Sequence, residues 1–239
     1  MEQDLGFDGI AQNPLHAASL AEQTAQRILT AICDGKLREE QPFPSQYQLG
    51  EWFGVSRTVI REATQLLVSK GVLDVKHGKR IVIKPPSHEP ISESLGLAFR
   101  RKGVSVQQVL ELRRPVEAEA AALAAQFAET SDLERMEQTI VEMEANLDKE
   151  KGYVDADVAF HNALFRATKQ PAFELLLMSL NEYMTESRRL SYRGPEPTKR
   201  ALEAHKRILH AVCNKDKEAA RQAMLEHLGE TERDLRELI

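Results

Sequence analysis

Apolar residues near the start of the chain recur at the spacing of an amphipathic helix. Over 20–33 they fall three or four positions apart, and Gly35 follows as a stop signal. Two further segments of the same kind come next, at 46–53 and 56–70, with Gly54-Val55 between them. Because glycine tolerates the positive φ of a sharp reversal, this dipeptide predicts a tight turn between two helices.

The period then changes from helical to alternating. Two short β-branched runs at 72–75 and 80–83 are joined by Lys76-His77-Gly78-Lys79, which has the composition of a hairpin turn. Three helices followed by a hairpin are the elements of a winged helix-turn-helix, in the right order.

Prolines at 85, 86 and 90 interrupt every periodic pattern, since proline cannot continue a strand or a helix interior. Beyond them only helical spacing is strong, so the fold class is mainly α, with the winged unit followed by an all-α antiparallel helical bundle. The predicted helices of the bundle are 91–101, 105–128, 131–149, 153–168, 172–193, 198–214 and 216–238. The predicted division is a flexible tail (1–15), a winged domain (16–84), a proline-rich linker (85–90) and a helical domain (91–239).

Charge indicates what the winged domain binds. From Arg57 to Lys84 there are seven basic residues against two acidic ones, although the whole chain of 239 residues has a net charge of −5. A basic helix beside a basic hairpin suits the phosphates of duplex DNA, although helix-turn-helix shapes also occur as simple packing units. Ser45 and Ser56 are predicted to cap the two helices of the motif, and Arg57, Thr58 and Arg61 lie where a recognition helix meets base edges.

The segment FPSQYQLGEWFGVSRTVIREA, followed by HGK, resembles the GntR family of bacterial transcription regulators. The resemblance implies a homodimer that binds a double-stranded, pseudo-palindromic operator. It implies contacts with DNA at Arg57, Thr58 and Arg61 and at the wing tip. The full predicted DNA-facing set is Ser45, Ser56, Arg57, Thr58, Arg61, His77, Gly78 and Lys79. Gln46-Tyr47 departs from the family, which usually has Glu, often followed by Arg, at this point.

Polar residues interrupt three apolar helix faces of the bundle. Asp157 and His161 are four residues apart on one face, and His205 and His227 share the faces of two later helices. Singly, each histidine is more simply a core residue with a satisfied ring. Together they would be costly to bury unless they satisfied one another or a cation. Carboxylate and imidazole suit a divalent transition metal, Zn²⁺, Ni²⁺, Mn²⁺ or Fe²⁺.

From about Val106 to Ile239 the chain resembles the helical FCD domain of the FadR subgroup, through DADVAFHNALFRAT, EAHKRILHAV and AMLEHL. The resemblance implies that Asp157, His161, His205 and His227 hold the ion. It also implies that Arg113 lines an effector pocket. Four residues are predicted to bind a small organic acid or sugar acid: Arg113, Glu117, Asn181 and Arg188. An internal Arg113–Glu117 pair, or an arginine that reaches solvent, stays open for that helix.

The sequence therefore predicts a cytoplasmic, metabolite-responsive repressor that contains a metal and is not an enzyme. The alternative is a regulator whose metal is structural or is itself the signal, with no organic effector. A metal-dependent enzyme would need a general base, and the inward candidate is Glu117. There is no long apolar run to suggest a membrane span, and Cys33 and Cys213 fit two free thiols in a reducing compartment.

Overall fold

The computed structural model of the protein describes residues 19–39, 41–76, 80–183, 185, 188–189, 192 and 195–236, with the backbone alone at 76, 181–183 and 195–196. The chain forms two compact units that divide between Ser87 and His88. The predicted tail at 1–15 lies outside the described residues. Among the described helices, none combines the length and apolarity that crossing a bilayer requires.

The first unit contains α1 (Leu20–Cys33), α2 (Gln46–Phe53), α3 (Arg57–Ser69) and the strands β1 (Leu73–Lys76) and β2 (Arg80–Ile83). Serine begins each helix, because its hydroxyl accepts from an N–H of the first turn that the helix cannot satisfy. Ser19 and Ser45 form capping boxes with Glu22 and Gln48, and Ser56 accepts from the N–H of Val59. The three predicted helices of this unit are confirmed.

A close backbone approach makes the turn between α2 and α3. Gly54 ends α2 with φ of 65°, a left-handed conformation that glycine adopts without steric cost. The N–H of Val55 then donates to the carbonyl of Gly50 at 3.1 Å. A Cβ added at Gly50 would lie 3.2 Å from the Val55 carbonyl oxygen, so the backbone of the turn packs closely against α2 at a residue without a side chain.

The strands pair antiparallel, with Leu73 opposite Ile83 and Val75 opposite Ile81. Leu73, Ile81 and Ile83 turn inward and join the core that α1, α2 and α3 build from Ala25, Ile28, Leu49, Ile60, Ala63 and Leu67. The predicted hairpin is therefore present as a paired ribbon, while its turn at 77–79 lies outside the described residues.

The second unit is helical throughout its described residues. Its helices are α4 (Glu89–Lys102), α5 (Val106–Phe127), α6 (Thr130–Ala145), α7 (Glu150–Ala167), α8 (Pro171–Tyr183), α9 (Pro195–Cys213) and α10 (Lys217–Arg236). The predicted linker reached Pro90, but α4 begins at Glu89. Proline is harmless in a first helical turn, where its missing N–H would have no partner in any case.

The helices α5 to α10 all contribute buried side chains to one apolar core. Its largest fully buried apolar side chains include Phe160, Phe165 and Leu164 of α7 and Met136 and Met143 of α6. Phe127, the last residue of α5, is 39% exposed. A single helix was predicted over 172–193. In the structure α8 extends to Tyr183, and most of 184–194 lies outside the described residues.

Candidate metal centre and DNA-reading surface

Helix α3 presents a basic, solvent-exposed edge at its start. Arg57, Thr58 and Arg61 are all exposed there, because the buried side of the helix is formed by other residues, namely Ile60, Ala63, Thr64 and Leu67. Within the part of the chain that the structure describes, no acidic side chain pairs with Arg57 or Arg61. Both guanidinium groups are therefore open to an external anion.

The two serines predicted on this surface use their hydroxyls within the fold. Ser45 Oγ accepts from the N–H of Gln48 at 3.2 Å, and Ser56 Oγ accepts from the N–H of Val59 at 3.4 Å. Each thus positions a helix start, and the structure assigns it no other role. The predicted wing-tip residues His77, Gly78 and Lys79 lie outside the described residues.

Three helices of the second unit bring four metal-ligating side chains together. Asp157 and His161 come from α7, His205 from α9 and His227 from α10, and one ligand atom of each lies within 4.8 Å of all the others. All four residues are buried. The helical spacing of Asp157 and His161 puts both side chains on one face, so two ligands come from a single helix.

In two of the histidines, a hydrogen bond made by Nδ1 determines that Nε2 faces the other ligand atoms. His205 Nδ1 donates to the carbonyl of Ala201 at 2.7 Å, and His161 Nδ1 donates to a Glu117 carboxylate oxygen at 2.8 Å. Carbonyl and carboxylate oxygens only accept here, so both protons sit on Nδ1 and both Nε2 atoms carry lone pairs.

These lone pairs point at one another. His161 Nε2 and His205 Nε2 are 3.3 Å apart, and Asp157 Oδ1 is 3.0 Å from His205 Nε2. Acceptor atoms that converge in this way repel unless a proton or a metal ion lies among them. Metal-binding histidines usually donate their other ring N–H to a carboxylate or a carbonyl, which is the arrangement found. The residues therefore fit a divalent metal ion.

Burial disfavours a proton as the group that lies among these converging acceptors. It lowers the pKa of His161 despite the neighbouring Glu117 carboxylate, and burial with the charges of His205 and His161 lowers the pKa of His227 well below its usual value. Burial alone would raise the pKa of Asp157, but Arg188 and His205 hold it well below the usual range. Asp157 is therefore a carboxylate, and the lowered pKa values of His161 and His227 favour neutral rings, which are the forms that bind a metal.

Arg188 forms an ion pair with the second oxygen of Asp157, through Nε and Oδ2. Burial and the charge of Arg113 lower the pKa of this guanidinium to about 10, so it stays charged at neutral pH. This pair leaves Asp157 Oδ1 available to a metal ion, and it places the Arg188 cation at the edge of the four-residue cluster.

Arg113 and Glu117 lie one turn apart on α5, fully buried, and form an ion pair between Arg113 Nε and Glu117 Oε1. Burial alone would raise the pKa of Glu117, but Arg113 and His161 lower it strongly, so the carboxyl is ionised. The internal pair left open by the sequence is thus present. One nitrogen, Arg113 Nη2, is buried and has no hydrogen-bond partner among the described residues. An unsatisfied buried N–H of an arginine costs free energy, and a ligand would remove that cost.

A cavity of about 70 Å³ lies beside the cluster. Of the side chains discussed above, it is lined by Arg113, Asp157, His161, Arg188 and His227. Glu117 does not line it: contrary to the prediction that Glu117 contacts an effector, its two oxygens face Arg113 and His161. The side chain of Asn181 lies outside the described residues.

Other residues that line the cavity were not predicted from the sequence, among them Tyr153, Thr198 and Thr231. Tyr153 precedes Asp157 by four residues, and Thr231 follows His227 by four. Continuing the two ligand-bearing stripes by one helical turn would have found both. Nothing local marks Thr198, whose carbonyl accepts from the hydroxyl of Tyr153 at 3.2 Å.

A winged helix-turn-helix unit joined to a helical unit defines a DNA-binding transcription regulator. The chain belongs to the GntR family of bacterial regulatory proteins, with a C-terminal FCD domain. The family's sequence model matches residues 20–83, and that of the FCD domain matches 108–230. Its relatives are DNA-binding regulators, so the protein is a transcriptional regulator and not an enzyme.

Similar proteins span nearly the whole chain. The HTH-type transcriptional regulator LutR of Bacillus subtilis is 33% identical over 207 residues, covering 84% of this chain and 94% of its own. The galactonate operon transcriptional repressor of Escherichia coli is 26% identical over 212 residues, covering 87% and 93%. The solved structure of Streptococcus agalactiae GntR superposes with a TM-score of 0.72 at 28% identity, covering 89% of this chain and 99% of that one.

Proposed function

We propose that this regulator acts in the cytoplasm as a homodimeric repressor whose helical unit binds one divalent transition metal ion and a small carboxylate or sugar acid. Asp157, His161, His205 and His227 hold the metal, and the acid bridges the metal and Arg113. Binding of the acid changes the affinity for a double-stranded operator read by α3. Zn²⁺, Ni²⁺, Mn²⁺ and Fe²⁺ all suit the ligand set.

The main support for the proposed acid is the environment of Arg113 Nη2. Among the residues that the structure describes it is buried without a hydrogen-bond partner, on an arginine that lines the same cavity as three of the four predicted metal ligands. The planar guanidinium favours a carboxylate, and a metal with four protein ligands still accepts oxygen from a further group when its geometry is octahedral. One relative is named for a galactonate operon, and galactonate is a sugar acid.

A second candidate function is a regulator whose metal is structural or is itself the signal. The small size of the cavity, about 70 Å³, favours this alternative. So does the Arg188–Asp157 pair, which already neutralises part of the site from within.

A thermal-shift screen separates the two. Metal-loaded and chelator-treated protein are each mixed with a panel of small organic acids and sugar acids. A ligand that binds only the folded state raises the melting temperature. The acid-binding function predicts a shift for one chemical class that needs the metal. Metal-dependent stabilisation with no response to any acid supports the metal-only alternative.

Arg113→Met tests the pocket itself. The variant should keep its metal and lose the acid-dependent shift, because the unpartnered donor is gone. Arg114→Met is the matched control, since Arg114 is the next residue of α5, half-exposed, and pairs with Glu232 instead. Because Arg113→Met leaves Glu117 buried without its cation, elemental analysis of the variant checks that the loss is not caused by loss of the metal. An undiminished shift in Arg113→Met would refute the pocket.

A further inference from the structure

Tyr47 and Arg57 are in contact in the DNA-reading unit. Tyr47 is the second residue of α2 and Arg57 the first of α3, and the helix-turn-helix reversal brings the two helix starts together. The Arg57 Cζ lies 5.5 Å from the centroid of the Tyr47 ring. Tyr47 is 58% exposed, so burial in the core does not explain its position.

The contact uses one part of the guanidinium and leaves the rest open. Arginine stacks its planar guanidinium on aromatic faces, and the distance between Arg57 and Tyr47 suits such a stack. The N–H groups of arginine lie in the guanidinium plane, around its edge, and none of them is spent on the ring. An acidic partner would occupy that edge, and among the described residues Arg57 has no such partner.

A guanidinium edge with free donors can recognise guanine in the major groove by hydrogen bonds. Arginine donates two hydrogen bonds to guanine O6 and N7, and recognition helices make these contacts from their first turn. Arg57 occupies that turn. A free arginine side chain loses considerable rotamer entropy when it docks, so a partner that already restricts it lowers the cost of binding.

We propose that Tyr47 is a positioning residue for Arg57 and thereby helps to determine operator specificity. Its ring holds the Arg57 side chain over α2 with the donor edge directed outward, so that Arg57 discriminates guanine from the other bases. Tyr47 acts through Arg57 and contributes little to affinity for DNA of arbitrary sequence, because it carries no charge for the phosphates.

The test is a double-mutant cycle on DNA binding. A pool of short duplexes with randomised central positions is enriched on the full-length protein, and the preferred duplex and an unselected duplex serve as the two probes. Fluorescence anisotropy then gives the affinities of wild type, Tyr47→Ala, Tyr47→Phe, Arg57→Ala and Tyr47→Ala/Arg57→Ala. Trp52, the only tryptophan and itself on α2, reports by its emission that the helix is intact in each variant.

Tyr47→Ala is expected to bind the preferred duplex about two- to five-fold more weakly, the range for an exposed contact of this kind, and the unselected duplex as before. Tyr47→Phe should match wild type, because the ring is kept. In the Arg57→Ala background Tyr47→Ala should cause no further loss. Enrichment with Tyr47→Ala should relax the base preference at the position that Arg57 reads.

Three results would overturn the proposal. Unchanged affinity and base preference in Tyr47→Ala would show that the contact has no consequence. An equal loss with and without Arg57 would show that Tyr47 acts independently of it. A loss in Tyr47→Phe as large as that in Tyr47→Ala would assign the effect to the hydroxyl, in direct contact with DNA.

Discussion

Glu117 connects Arg113 and His161 of the helical unit through one buried carboxylate. One oxygen accepts from His161 Nδ1–H at 2.8 Å and the other pairs with Arg113. Such carboxylates orient a metal-binding imidazole and raise its basicity. Glu117→Gln keeps the shape but removes the charge, so we expect the affinity for Zn²⁺ to fall about 10- to 100-fold. Competition with a chromophoric chelator measures this.

Glu119→Gln is the control for that substitution, because Glu119 is on the same helix but half-exposed and paired with Arg221. It should leave the affinity for Zn²⁺ unchanged. If Glu117→Gln also binds Zn²⁺ as tightly as wild type, the carboxylate does not support His161.

For individual residues, the sequence predicted which side chains share a helix face better than it predicted which side chains they contact. The spacing of Asp157 and His161 on one helix is a local property, so their common face could be predicted. The contact between His161 and Glu117 joins residues 44 positions apart and depends on how α5 docks against α7. Periodicity placed Glu117 on the inward face of α5 but could not show which neighbour it meets there.

Asp132 joins the start of α6 to the end of α7. Its Oδ2 accepts from the N–H of Glu129 at 3.0 Å and pairs with Lys169 at 2.6 Å. Burial would raise the pKa of Asp132, but the hydrogen bond and charge of Lys169 and the N–H of Glu129 outweigh it, so the pKa is lowered. A lowered pKa means that the carboxylate stabilises the folded state above its unfolded pKa, and that this stability is lost as pH falls through the folded value.

Asp132→Asn should therefore lower the free energy of unfolding at neutral pH, by about 1–2 kcal/mol for a hydrogen-bonded charge of this kind. The difference from wild type should shrink as the pH is lowered below about 4, where wild-type Asp132 also becomes neutral. Urea titrations across that range measure it, with the exposed Asp148→Asn as control. A difference that does not depend on pH would exclude a role for the charge.

Element types were largely predictable because their signals are local. The serine caps and the glycine at position 54 mark the helices of the first unit, and each lies next to the structure it sets. Helix ends that lack such signals were predicted less accurately. The predicted end of the third bundle helix at 149 is actually at Ala145, since the next residues make a turn before α7 begins at Glu150.

At the scale of the whole molecule, the proposed acid and the operator bind to different units. Coupling between two such sites is reciprocal and typically amounts to about 1–3 kcal/mol, or roughly 5- to 150-fold in affinity. If the acid releases the repressor, it should lower operator affinity within that range, and operator should weaken acid binding by the same factor. Anisotropy titrations with and without each partner measure both. Unequal factors, or a full response in Arg113→Met, would contradict the scheme.

Metal content of the purified protein tests the central claim most directly. Protein prepared without chelator should contain close to one divalent transition metal ion per chain by elemental analysis, and anomalous diffraction should place it among Asp157, His161, His205 and His227. His205→Ala and His227→Ala should each lose the ion. His210→Ala, an exposed position on the same helix as His205, should keep it. Full metal content in both His205→Ala and His227→Ala would contradict the account.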